Sequence, residues 1–135
     1  MKTFITTLLL ALSAFAQAPL TQVADVPLPG PAVRFDYQSL DPTHHRLYIA
    51  HMNADHLVVF DTERREVAAN LPGFANVHGV WAVPEINRVF ASATGEHKLA
   101  IVEMDSLKTL AKAGPITYPR RHRIRSRRQA RLRLR

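Results

Sequence analysis

Residues 77–110, VHGVWAVPEINRVFASATGEHKLAIVEMDSLKTL, decide the fold of this chain. Three short runs at 79–83, 88–93 and 98–103 are rich in Val, Ile, Phe and Ala, and the turns Pro-Glu-Ile-Asn and Thr-Gly-Glu separate them. Apolar runs of this length between Gly, Pro and Asn turns are typical of antiparallel hairpins. With residues 109–112 as a fourth, edge strand, this stretch predicts one four-stranded antiparallel sheet.

The same pattern occurs earlier in the chain at a constant offset of 42 positions, without a gap. Arg46–Ala50 (RLYIA) corresponds to Arg88–Ser92 (RVFAS), and Pro42 corresponds to Pro84. A repeat of about 40 to 45 residues with four strands in each copy is typical of β-propeller blades. The sequence therefore predicts an all-β fold of two four-stranded antiparallel blades. The predicted blades cover residues 35–76 and 77–118, and their strands are Phe35–Leu40, Arg46–His51, His56–Asp61, Glu66–Ala69, Gly79–Val83, Arg88–Ala93, Lys98–Glu103 and Thr109–Lys112.

Parts of the two copies are similar to a known bacterial repeat. The segments RLYIAH (46–51), VVFDT (58–62) and EV (66–67), with VHGV (77–80) opening the second copy, resemble the YVTN-type (YncE-like) β-propeller repeat. The resemblance implies an exported, seven-bladed parent protein. A propeller ring needs at least about four blades. Two blades preceded by residues 17–34, which we call the lead-in, cannot close a ring. We therefore expect this chain to be a truncated fragment.

Residues 120–135, RRHRIRSRRQARLRLR, follow where a third blade should begin. They contain nine Arg and no acidic residue, and they account for the net charge of +7, because the rest has nine basic against eleven acidic residues. Codons permitted for this segment, read one base later, can encode a third copy in the same register. We therefore expect a frameshifted product with a disordered tail at 119–135. The alternative is that the arginines bind a polyanion, although nucleic acid is an unexpected partner for an exported protein.

Residues 1–34 precede the repeats. A basic Lys2, the apolar run 4–15 and the small-residue site Ala14-Phe15-Ala16 predict a signal peptide at 1–16 and a periplasmic or extracellular location. The apolar run is shorter than the ~20 residues that cross a bilayer, so we expect no membrane span after cleavage. Residues 17–34 are interpreted as a linker or as an edge strand that closes the last blade of a ring.

No catalytic arrangement is visible in the sequence. The chain has no Cys, and its five Gly are too dispersed for a phosphate-binding loop. A serine nucleophile elbow is absent as well. His44 and His45 fall in a predicted turn, where exposure to solvent is expected. We accordingly predict no catalytic residue, no metal site and no cofactor.

Asp36 and His78 are the candidate ligand-binding residues, because they occupy the same repeat position at the start of two equivalent inner strands. Side chains at the same phase of successive inner strands face one axis, so these two would line the channel mouth of a ring. A mixture of carboxylates and imidazoles there suits a polar or cationic small molecule. The alternative is that both residues form hydrogen bonds to backbone between neighbouring blades.

The function predicted from these observations is an exported binding scaffold, whose partner is a small molecule or a protein bound by the complete ring. The alternatives are a fragment of a lactonase-like or quinoprotein-like propeller enzyme, and a polyanion binder acting through the tail. Blades bury their faces against neighbouring blades. Two blades should therefore leave both outer faces of the array open, which favours aggregation.

Overall fold

The computed structural model describes residues 20–116. In this region eight strands form two four-stranded antiparallel sheets, which we call blade 1 (β1–β4) and blade 2 (β5–β8), each with its strands in sequence order. The strands are β1 Gln38–Asp41, β2 Arg46–His51, β3 His56–Asp61, β4 Glu66–Pro72, β5 Val77–Val83, β6 Arg88–Ala93, β7 Lys98–Glu103 and β8 Thr109–Ala113. The all-β architecture of two antiparallel meanders is confirmed, and β2, β3, β6 and β7 have the predicted bounds.

The turns repeat between the two blades even where their residues differ. A three-residue 3-10 helix follows both β2 and β6, and each ends at a residue in the left-handed conformation, Asp55 (φ 59) and His97 (φ 52). The carbonyls of these two residues accept hydrogen bonds from the backbone N–H of Phe74 (2.9 Å) and Ile116 (2.8 Å). Both the acceptors and the donors are repeat equivalents of each other, so the repeat extends to backbone geometry.

The hydrophobic core lies between the two blades. Successive side chains of a strand point to opposite faces, and one face of each blade supplies the core. Blade 1 contributes larger side chains, among them Tyr48 and Leu57, and blade 2 contributes small ones such as Ala91 and Ala100. The buried cluster contains Tyr48, Ala50, Leu57, Val59, Phe74, Val77, Val80, Val89, Ala91, Ala100, Val102 and Met104. Removal of this apolar surface from water is the main source of stability.

Two polar contacts also join the blades. The backbone N–H of Ala82 in β5 donates to the Ser39 hydroxyl in β1 at 2.9 Å. The guanidinium of Arg46 in β2 donates to the carbonyl of Met104, just beyond β7. Both contacts satisfy polar groups at the margin of the apolar core, where an unpaired group would be costly.

The chain before β1 forms no helix or strand within residues 20–37 and bends at residues 29, 30 and 32. The expected start of the first strand at Phe35 is therefore wrong, because β1 begins at Gln38. Asp36 and Tyr37 still exchange backbone hydrogen bonds with Ala50, at 2.8 and 3.0 Å. Prolines at 27, 29 and 31 each lack a backbone donor, and this accounts for the lack of regular pairing in the part of the lead-in that the structure describes.

The lead-in covers part of blade 1. Its residues Val26 and Leu28 form one wall of a groove whose other wall includes Leu47, Ile49 and Phe60, on the side of blade 1 that faces away from blade 2. The expectation that both outer faces are open is therefore wrong for this side. The predicted signal peptide and the arginine-rich tail lie outside the described residues. Within residues 20–116, no helix has the length and apolar character needed to cross a bilayer.

Candidate functional site

Asp36 and His78 meet at the point where the first strands of the two blades lie side by side. Asp36 precedes β1 by two residues, and His78 is the second residue of β5. The imidazole Nδ1 of His78 lies 2.8 Å from Oδ2 of Asp36. Because an ionised carboxylate only accepts hydrogen bonds, Nδ1 carries the proton and Nε2 is left on the other side of the ring. The structure thus brings the two predicted residues into direct contact.

Arg34 is a third member of this site and was not among the predicted residues. Its Nη2 donates to the same Oδ2 of Asp36 at 2.9 Å. The side chain of Arg34 is 58% exposed, whereas Asp36 is 13% exposed. A residue two positions away on an extended chain points to the same side, so the pattern Arg-Phe-Asp held a signal for this contact. The contact between Arg34 and Asp36 can be predicted from this pattern only when the conformation of the lead-in is known.

Tyr37 holds the His78 ring from a second direction. The two rings pack edge to face, with centroids 5.1 Å apart and an interplanar angle of 83°. The backbone N–H of Tyr37 also donates to the carbonyl of His78 at 3.3 Å. A backbone hydrogen bond therefore does link the blades here. However, the Asp36 and His78 side chains bond to each other, and the alternative in which each bonds to backbone is wrong for the Asp36–His78 contact.

The charges at this site differ from those expected. The expected site was a mixture of carboxylates and imidazoles. The structure adds the Arg34 guanidinium, which is directly bonded to the Asp36 carboxylate and offsets its charge. What the site offers is a guanidinium, a carboxylate and an imidazole, with His78 18% exposed. This set can donate and accept hydrogen bonds, which suits a small polar molecule carrying both kinds of group.

A second histidine–aspartate pair lies at the far end of β1. The Asp41 side chain is buried and accepts from the backbone N–H groups of Thr43 (2.9 Å) and His44 (3.2 Å), and from the His44 ring Nδ1 (2.6 Å). His44 Nε2 lies 3.9 Å from Asp105 of blade 2, and the His44 side chain is 33% exposed. His44 is therefore less exposed than expected, because the turn that Asp41 caps folds the imidazole back onto the carboxylate.

Asp41 and His44 serve to fix a turn. All the contacts of Asp41 given above stay within the segment 41–44, and the partner of His44 across the blades, Asp105, is 68% exposed. In the described part of the chain, no three His, Asp or Glu side chains converge as a metal site would require. The Asp36–His78 site is thus the better candidate for binding.

Solved structures with a similar fold include the following two. Hydrazine synthase from Kuenenia stuttgartiensis matches with a TM-score of 0.58 at 11% identity, over 70% of this chain and 28% of that chain. Apo AztD from Citrobacter koseri matches with a TM-score of 0.51 at 12% identity, over 60% of this chain and 23% of that one. Both are β-propeller proteins. The fold is that of propeller blades.

The likeness to these two proteins is one of fold, since both identities are close to a tenth. The chain spans about a quarter of the length of each. No protein-family model matches the sequence, and a search of the curated proteins finds no relative.

Proposed function

We propose that this chain is part of an exported β-propeller of the YVTN type, which acts as a binding scaffold. We place its ligand at the edge where the first strands of the blades meet, at Asp36 and His78. The observation that carries the proposal is the 2.8 Å contact between these two side chains, one from each blade and at the same position of the repeat. Both remain partly open to solvent, at 13% and 18% exposure.

The repeat explains why such a site would bind more strongly in a complete ring. Each blade supplies one side chain at the same repeat position, at or just before its first strand, so added blades place more polar groups around one axis. The edge-to-face packing of Tyr37 on His78 fixes the imidazole in one orientation, and a fixed group loses less entropy when a ligand binds. The expected ligand is a small polar molecule with hydrogen-bond donors and acceptors.

Ligand binding by a complete ring tests the proposal. The ring is obtained by extending the repeat beyond residue 118 in the alternative reading frame, and isothermal titration calorimetry is run against amino acids, monosaccharides and small dicarboxylates. Asp36→Ala and His78→Ala should each weaken binding of the responding compound by at least about tenfold, which corresponds to about 1.4 kcal/mol.

Asp25→Ala is the matched control, because Asp25 is an exposed carboxylate of the lead-in. It should leave the affinity unchanged. If Asp36→Ala and His78→Ala lower the melting temperature without changing the affinity, the two residues only hold the blades together and the proposed site is wrong. If the extended protein binds none of these compounds, the binding function itself is wrong.

A further inference from the structure

Blade 2 has a second apolar face, on the side away from blade 1. In the strand register Trp81 lies opposite Phe90, and Phe90 lies opposite Ile101. Leu99 lies two residues before Ile101 in β7 and therefore points to the same side. We call these four residues the open face of blade 2. All four are half-buried, so a continuous apolar surface stays partly accessible in the part of the chain that the structure describes.

The open face repeats the face that blade 1 buries. Phe90, Leu99 and Ile101 are the repeat equivalents of three residues in blade 1. Those residues are Tyr48, Leu57 and Val59, and each of them is 0% exposed because blade 2 covers it. The chain therefore carries two copies of this surface. The copy on blade 1 is buried against blade 2, and the copy on blade 2 is partly accessible.

The arginine at the rim of this surface is repeated as well. Arg46 of blade 1 donates across the interface to the carbonyl of Met104. Arg88 is its equivalent on the open face, and here it bonds to the carbonyl of Asn87 (2.7 Å) and to Glu103 (3.4 Å) of its own blade. The open face therefore carries both the apolar and the cationic parts of the interface that blade 1 makes with blade 2.

The complementary surface is the side of blade 1 away from blade 2, which we call the outer face of blade 1 and define by Leu47, Ile49, Val58 and Phe60. These residues are the repeat equivalents of Val89, Ala91, Ala100 and Val102, which blade 2 buries against blade 1. Leu47 and Phe60 are half-buried, whereas Ile49 is 6% and Val58 0% exposed, because the lead-in partly covers this face. Between this face and the lead-in lies a groove with a volume of about 430 Å³.

We infer that the open face of blade 2 is a docking surface for the outer face of blade 1 of a second copy of this chain. Each face is the repeat equivalent of one half of an interface that the chain already forms, so the contact continues that interface from one molecule to the next. On the outer face of blade 1, the second copy takes the place that the lead-in has in the single chain. Trp81 takes the place that Ser39 has in blade 1.

The polar site of the blades agrees with this arrangement. Within the chain, Asp36 of blade 1 meets His78 of blade 2. At the junction of two copies, His78 of one copy comes next to Asp36 of the other, and the same two groups can pair with their positions exchanged. Because the two contacting faces are different, the contact is heterologous, and it builds a closed ring or an open chain of copies rather than a two-fold dimer.

The association of the full chain tests this inference, by sedimentation velocity and light scattering over a range of protein concentrations. Ile101→Lys places a charge on the open face, and Phe60→Lys places one on the outer face of blade 1. Glu63→Lys places the same side chain in an exposed turn, with a charge change of two instead of one, and is the control. Far-UV circular dichroism checks that each variant is folded, and Phe90→Ser replaces Ile101→Lys if the latter does not fold.

The wild type and Glu63→Lys should associate beyond a dimer as the concentration rises. Ile101→Lys and Phe60→Lys should each weaken self-association by at least about tenfold. A mixture of these two variants should form a 1:1 heterodimer, because each retains the half that the other has lost. Three results would overturn the inference. The first is a wild type that stays monomeric, as it would if residues 117–135 covered the open face. The second is an Ile101→Lys variant that associates as strongly as the wild type. The third is a homodimer of Phe60→Lys, which would mean that two open faces meet.

Discussion

His78 Nδ1 lies 2.8 Å from Asp36 Oδ2, so one hydrogen bond joins equivalent repeat positions in two different sheets. The same oxygen also accepts from Arg34. The two donors fix the carboxylate at the margin of the interface between the blades. This relationship makes the pair both a structural link and the candidate binding site, and the two roles can be separated by measurement.

Asp36→Asn tests the structural role, because it keeps the shape of the side chain and removes its charge. His78 and Arg34 then lose an ionised acceptor, and hydrogen bonds to charged groups contribute about 1.5 to 3 kcal/mol. We expect the free energy of unfolding to fall by about 1 to 2 kcal/mol in urea denaturation. Asp25→Asn, which changes an exposed carboxylate of the lead-in, should have almost no effect. Equal losses in both variants would contradict the prediction.

Leu57→Ala tests the core between the blades. Leu57 is 0% exposed and belongs to the interface cluster, so truncation leaves a cavity and should cost about 2 to 5 kcal/mol of unfolding free energy. The matched control is Leu40→Ala, because Leu40 is 57% exposed and its truncation should change stability by about 0.5 kcal/mol or less. Thermal and urea unfolding both report the difference. Similar effects at the two positions would show that the blades do not pack as described.

Glu96 makes the stability of the chain depend on pH. Its carboxylate accepts from Lys112 at 2.7 and 2.8 Å, and this hydrogen bond holds the pKa of Glu96 below its ordinary value of 4.5. A lowered pKa in the folded state means that the stabilisation is present above pH 4.5 and is lost as the pH falls through the folded-state value. Acid unfolding should therefore begin below pH 4.5 in part because Glu96 becomes protonated.

Glu96→Gln tests this link. The variant should be less stable than the wild type at neutral pH by about 0.5 to 1 kcal/mol, because the ion pair is partly exposed. The difference should shrink as the pH falls, which urea titrations at several pH values measure. Glu66→Gln is the control, since Glu66 is 62% exposed and 3.9 Å from Arg64. A difference between wild type and Glu96→Gln that stays constant with pH would show that the ionisation of Glu96 is not the cause.

Arg65 lies in the left-handed region at φ 59, in the turn between β3 and β4. This conformation costs a residue with a Cβ atom about 1 to 2 kcal/mol, and Gly adopts it freely at the expense of a more flexible unfolded chain. We expect Arg65→Gly to raise the free energy of unfolding by about 0.5 kcal/mol. Arg64→Gly, one residue earlier in the same exposed turn, should lower it. Destabilisation by Arg65→Gly would mean that its side chain makes a favourable contact.

The sequence by itself determined the strands, the turns and the internal repeat. These features are local, because the alternation of apolar residues sets a strand and residues such as Asn87 and Gly95 mark its ends. The repeat then places equivalent residues in equivalent positions. This is why Asp36 and His78 were recognisable as a pair before their contact was known.

Tertiary structure alone decided which partners each surface meets. Arg34 joins Asp36 only because the lead-in turns toward β1, and His44 approaches Asp105 only because the second blade lies beside the first. Both faces of blade 2 are apolar, so strand alternation cannot tell which one blade 1 will cover. The choice depends on the packing of small side chains such as Ala91 against large ones such as Tyr48, and shape complementarity exists only between folded surfaces.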